Sequence, residues 1–254
     1  MNRRVCRLLA MLAMLALQAM LAAYGMACSA GSKTEQATRP DTVPPVGHSQ
    51  SNGGTAATSP TPSTPSTARR VVLFAGTSLT AGLGLSPDSA YPMLIQRKID
   101  SAGLPFEVVN AGVSGETSSG LLDRLNWLLR AQFDVLVVET GANDGLRGIP
   151  VSTLRANLST AVDRIKAKRP DATIVVVQME ALPNLGAKYT SDFHDVYPTI
   201  AAEKHVTLIP FLLGGVAGQR NLNQADGVHP NNAGEKIVAE NVWKGLKPVL
   251  EGRK

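Results

Sequence analysis

Five short apolar runs, at 71–75, 106–110, 135–139, 173–179 and 206–210, recur along this chain with amphipathic stretches between them. That alternation constrains the fold more than any other feature. Runs such as Ile174-Val175-Val176-Val177 are apolar at successive positions, so both faces of the strand must be covered. Cover on both faces is the condition of a parallel sheet between helical layers. The intervening stretches at 90–101, 118–132, 152–168, 189–204 and 232–246 have helical periodicity instead. Strands and helices in alternation predict an α/β protein: a three-layer α/β/α sandwich around a mostly five-stranded parallel sheet. No internal repeat is evident.

The pattern starts only after about residue 69. Residues 1–27 open with Arg3, Arg4 and Arg7, continue through an almost wholly apolar stretch from Leu8 to Ala23, and end in small residues. This is the layout of an export signal. The apolar stretch is also long enough to span a bilayer if it is retained. Gly25-Met26-Ala27-Cys28 resembles the bacterial lipobox, whose cysteine is lipidated, with Gly25 standing where leucine is usual. The expectation is an exported protein, periplasmic or held in the envelope by a lipid on Cys28; the alternative is a secreted protein whose Cys28 is incidental. Residues 28–69 are rich in Ser, Thr, Pro and Gly and nearly free of large apolar side chains, a tether composition. The folded domain is then 70–254.

Composition excludes two classes. The formal net charge is +5, but Arg3, Arg4 and Arg7 belong to the signal, so the remainder is close to neutral. Nothing electrostatic favours nucleic acid as a partner. The two cysteines, Cys6 and Cys28, lie in or beside the signal. The folded part therefore has no disulfide and no thiolate metal cluster.

The chemistry-bearing residues sit just past the apolar runs. Ser78 lies in Gly76-Thr77-Ser78-Leu79-Thr80-Ala81-Gly82 after the first, Gly115 after the second, and Asn143 in Gly141-Ala142-Asn143-Asp144 after the third. In a parallel α/β sheet these positions share one rim, where ligands bind. Ser78 is a candidate nucleophile, although a serine helix cap would look the same. His229, in Asp226-Gly227-Val228-His229-Pro230, is a candidate base, and Asp226 can fold back to orient its ring. Pro230 biases His229 away from helix, and Asn232 with Glu235 marks the start of the last helix. Gly115 offers an unobstructed backbone N–H, Asn143 a side-chain amide, and Gly141 room for close substrate approach. Turn formation alone would also explain each fragment.

Together these four segments resemble the SGNH, or GDSL-type, hydrolases over essentially all of 70–250. The closest branch is that of the bacterial thioesterase/lysophospholipases and arylesterases, on the strength of residues 110–117 and 141–148. The resemblance implies a flavodoxin-like sandwich and hydrolysis, with no metal or cofactor, of short-to-medium acyl or aryl esters, with thioesters and lysophospholipids as further substrates. It assigns Ser78 as nucleophile, His229 as base and Asp226 as its orienter. The Ser78 N–H, the Gly115 N–H and the Asn143 side chain become the oxyanion hole. One position departs from the pattern: Thr77 replaces the usual aspartate, and its hydroxyl can still bond the local turn.

Other residues read more plainly. His194 and His205 are surface histidines, Trp127 and Trp243 packing residues, and Asp144 a brace for the loop carrying Asn143. Arg147 is a substrate contact or half of an ion pair. Leu83, Leu85 and the 181–186 loop are candidate acyl-pocket walls. Three rival functions stay open: carbohydrate O-deacetylation with the same residues, a flavin-binding module, and an inactive envelope-binding lipoprotein. The flavin reading leaves Asp226 and His229 unexplained.

Overall fold

The computed structural model describes residues 69–253. The export signal, Cys28 and nearly all of the tether, with His48, lie outside the described residues. Five parallel strands form one sheet: β1 Arg70–Gly76, β2 Phe106–Gly112, β3 Val135–Glu139, β4 Thr173–Val177 and β5 Thr207–Ile209, in the order β2-β1-β3-β4-β5. The helices are α1 Ser78–Ala81, α2 Tyr91–Ser101, α3 Ser118–Leu128, α4 Ala142–Leu146, α5 Val151–Lys168, α6 Ala187–Lys204 and α7 Asn232–Glu251. Helices α2 and α7 pack together on one face of the sheet, while α3, α5 and α6 form the other layer. The expected three-layer sandwich with its flavodoxin-like strand order is present.

Burial follows strand position. The central strands β1, β3 and β4 are buried at nearly every residue, as their continuous apolar runs require. Edge strand β2 instead alternates, with Phe106 and Val108 buried and Glu107 and Val109 exposed. Gln96 on α2 partly covers the open edge: its Oε1 accepts from Val108 N at 2.6 Å and its Nε2 donates to Phe106 O at 3.3 Å. An edge blunted in this way is a poor template for pairing with another chain.

Two local expectations are corrected. The cap of α7 is Asn231, whose side chain accepts from Ala233 N and Gly234 N; Glu235 turns away and accepts from Tyr91 N at 2.7 Å. Helix α2 packs against α7 in the same layer, so the acid satisfies the first amide of α2 rather than its own cap. Trp127 is 59% exposed, because α3 buries the Leu121, Leu125 and Leu128 stripe and position 127 falls off it. Trp243 does pack against the core.

The topology also fixes where a site can form. Strand order reverses between β1 and β3, and the crevice beyond their carboxyl ends is the usual ligand position in such sheets. Helices α1 and α4 begin at that crevice, one past each strand.

Candidate active site

Ser78 is the first residue of α1, a single turn capped by Thr77 and closed by Gly82 in the left-handed region. As the first helical residue, it has a backbone N–H without an intrahelical acceptor. Ser78 is 7% exposed and opens onto a cleft of about 490 Å³. Gly115, Asn143 and His229 line the same cleft.

The imidazole of His229 arrives from the far end of the chain. An antiparallel bridge between Asn223 and Pro230, with Gln224 N donating to His229 O at 2.7 Å, closes a tight loop ahead of α7. Asp226 folds back within it: Oδ1 accepts from Val228 N at 2.9 Å and His229 N at 3.0 Å, while Oδ2 lies 2.7 Å from His229 Nδ1. His229 Nε2 then lies 2.8 Å from Ser78 Oγ. The two backbone amides, joined by the imidazole, hold the Asp226 carboxyl down to about 2, so it is ionised at any working pH. An ionised partner fixes the proton on Nδ1 and leaves Nε2 free to accept from the serine.

The amide donors are set by a second group of contacts. Gly115 has φ +79°, a conformation that favours glycine, and its carbonyl accepts from Arg147 at 2.9 Å. Asn143 Nδ2 donates one hydrogen to Glu116 O at 2.9 Å, which aims the amide and leaves its other hydrogen for a ligand. Asp144 is buried and accepts from both Ser118 N (2.8 Å) and Ser118 Oγ (2.5 Å), bracing the loop against the first turn of α3. Arg147 thus holds the backbone at Gly115 and forms no ion pair in the described structure.

Leu83, Leu146, Met179, Leu182, Phe211 and Val228 wall the cleft, which is mainly apolar. Of the loop expected at 181–186, residues Ala181, Leu182 and Pro183 line it; Leu85 does not. Gly141 does not serve substrate approach, since a Cβ there would lie 2.2 Å from the Tyr197 hydroxyl, in the interior. His194 is a surface residue as expected, bonded through Nδ1 to Glu180 at 2.7 Å on the cleft wall. Among the described residues no group of three or more His, Cys, Asp or Glu side chains is placed to hold a metal ion.

Sequence reasoning missed several supporting residues. Gln224 Nε2 donates to Leu83 O at 2.7 Å and Pro230 O at 2.9 Å, tying the histidine loop to the segment after α1. Glu139 receives hydrogen bonds from the turn around Ser78. Its place at the end of an apolar run was the available signal: a carboxylate in a central strand demands buried donors.

With a serine, imidazole and carboxylate in hydrogen-bonded sequence at the crevice of a parallel sheet, the molecule has the form of an acyl-transfer hydrolase. Residues 74–237 match the GDSL-like Lipase/Acylhydrolase family. The chain is 40% identical to Esterase TesA of Pseudomonas aeruginosa, over 72% of this chain and 90% of that one. It is 34% identical to Thioesterase 1/protease 1/lysophospholipase L1 of Escherichia coli K12, over 70% and 84% of the two chains. The crystal structure of the psychrotrophic esterase EstA from Pseudoalteromonas sp., inhibited by monoethylphosphonate, is similar with a TM-score of 0.68 and 31% identity, covering 72% of this chain and 99% of that one. The chain belongs to the GDSL-like lipase/acylhydrolase family, and it is a carboxylic ester hydrolase.

Proposed function

We propose that this esterase cleaves short-to-medium acyl or aryl esters through a seryl acyl-enzyme, with Ser78, His229 and Asp226 as the catalytic triad. The observation that carries this reading is the pair of contacts on one imidazole, 2.8 Å to Ser78 Oγ and 2.7 Å to Asp226 Oδ2, at the mouth of an apolar cleft. Ser78 Oγ attacks the carbonyl carbon as its proton passes to His229 Nε2. The tetrahedral oxyanion takes hydrogen bonds from Ser78 N–H, Gly115 N–H and Asn143 Nδ2. Collapse expels the alcohol, which leaves with the proton from His229. Water then gives a proton to His229 and attacks the acyl-serine; collapse releases the acid and returns the proton to Ser78 Oγ.

The apolar walls suit an acyl chain or aromatic leaving group and offer little to a polysaccharide, which weighs against the deacetylase reading. The name of the Escherichia coli relative extends the substrate class to thioesters and lysophospholipids. Turnover of p-nitrophenyl butyrate by wild type and Ser78→Ala tests the proposal: activity is lost with the fold intact, whereas full activity in the variant removes Ser78 from the mechanism. The leader at 1–27 and the lipobox-like 25–28 support export and lipidation of Cys28, and the mass of the mature N-terminus tests both.

A further inference from the structure

Glu139 ends β3 and is 1% exposed. Its Oε2 accepts from Thr77 N at 2.7 Å, Thr77 Oγ1 at 2.9 Å and Thr80 Oγ1 at 3.0 Å, and its Oε1 lies 3.1 Å from Thr77 Oγ1. Those donors all belong to the turn that carries Ser78. A Cβ at Gly76 would fall 2.7 Å from Oε2 and 2.0 Å from Thr80 Oγ1, so bare backbone at 76 lets the carboxylate reach the turn. Thr80 Oγ1 lies in turn 2.8 Å from the buried Tyr91 hydroxyl.

A buried carboxylate is a weak source of stability, since an apolar side chain of similar size often serves a core as well. What it supplies here is geometry. The Thr77–Ser78 peptide sets the direction of both Ser78 Oγ and the Ser78 N–H, and Glu139 holds that peptide's neighbour from below. Beyond Glu139 the chain continues through Thr140, whose carbonyl accepts from Tyr197 at 2.8 Å, to the turn bearing Asn143. One side chain thus links the two sides of the crevice. Thr77, where the family usually has aspartate, donates to Glu139 in place of a second negative charge.

We infer that Glu139 is a positioning residue, whose carboxylate fixes the Ser78 turn against the strand leading to Asn143 and keeps nucleophile and oxyanion donors in register. The inference rests on the reading of Ser78 as nucleophile.

The test is steady-state kinetics on p-nitrophenyl butyrate, with thermal unfolding, for Glu139→Leu, Glu139→Gln and Thr77→Val in the full chain. Misplacement of a nucleophile by about 1 Å lowers rates by about 10²-fold, so Glu139→Leu loses about that much kcat with KM nearly constant. Glu139→Gln keeps a carbonyl for Thr77 N–H and recovers activity to within about fivefold of wild type, the worth of one altered hydrogen bond. Thr77→Val loses one hydroxyl and falls about tenfold. If Glu139→Leu does not fold, Thr77→Val and Glu139→Gln decide the matter. Wild-type kcat in folded Glu139→Leu or Thr77→Val overturns the inference, as does a glutamine variant no better than the leucine one. Turnover by Ser78→Ala would instead overturn the nucleophile assignment, whatever the variants at 139 do.

Discussion

His229 Nε2 lies 2.8 Å from Ser78 Oγ although 151 residues separate the two in sequence. The contact is assembled by two turns at opposite ends of the domain, one after the first strand and one before the last helix. The fold itself brings the hydroxyl and the imidazole into contact, so on the proposed mechanism part of the entropic cost of reaction is met by folding.

Asp226→Asn separates orientation from shape. The amide oxygen can still accept from Val228 N and His229 N, but its NH₂ now faces Nδ1 and favours the tautomer with the proton on Nε2. Activity should fall about 10³–10⁴-fold with little change in thermal stability. A loss under tenfold would show that Asp226 does not govern the imidazole.

On the proposed mechanism Asn143→Ala should lower kcat by about 10²–10³ with KM nearly unchanged, because an oxyanion donor acts on charge that develops only in the transition state. Steady-state kinetics on one ester are sufficient. A change confined to KM would make Asn143 a ground-state contact.

Ala217→Trp should shorten the preferred acyl chain. Ala217 lines the cleft beside Gly218 and Val228, and an indole there would occupy part of its volume. Each buried CH₂ contributes about 0.8 kcal/mol, so kcat/KM for octanoyl esters should fall by an order of magnitude or more relative to acetyl esters. An unaltered chain-length profile would place the acyl group elsewhere.

Glu235→Gln should stabilise the fold in alkali. Burial pushes the Glu235 carboxyl up to about 8, well above the unfolded value, with Tyr91 N partly opposing the shift. The native state therefore keeps a proton that the unfolded chain releases. Its favourable contribution is complete below the unfolded pKa and is lost as pH rises through about 8. Glutamine keeps the acceptor for Tyr91 N without the titration. The variant's advantage in unfolding free energy should grow between about pH 5 and 9, to the order of a few kcal/mol. Parallel stability–pH curves would contradict this.

Most of the architecture was legible in sequence because central parallel strands have little freedom: buried on both faces, they must be continuously apolar. The site turns were legible because Ser78, Gly115 and Asn143 follow successive strands. Helix α4 was not, since Ala142–Leu146 is a single turn holding Asn and Gly, too short for periodicity. Nor were Gln224 to Leu83, Arg147 to Gly115, or Glu139 to Thr77. These bonds join segments through space, and a lone polar residue carries no mark of its distant partner. Trp127 misled because an aromatic near leucines reads as core, while one step around a helix turns it to solvent.

The central claim is that the Ser78 hydroxyl is the atom that bonds to the acyl group. Treating the full chain with a p-nitrophenyl alkylphosphonate and mapping the adduct by peptide mass spectrometry tests it most directly. The account predicts one stoichiometric phosphonyl group on Ser78, formed in step with loss of activity and absent from Ser78→Ala. Inactivation with the label on another residue, or equal labelling of Ser78→Ala, would contradict it.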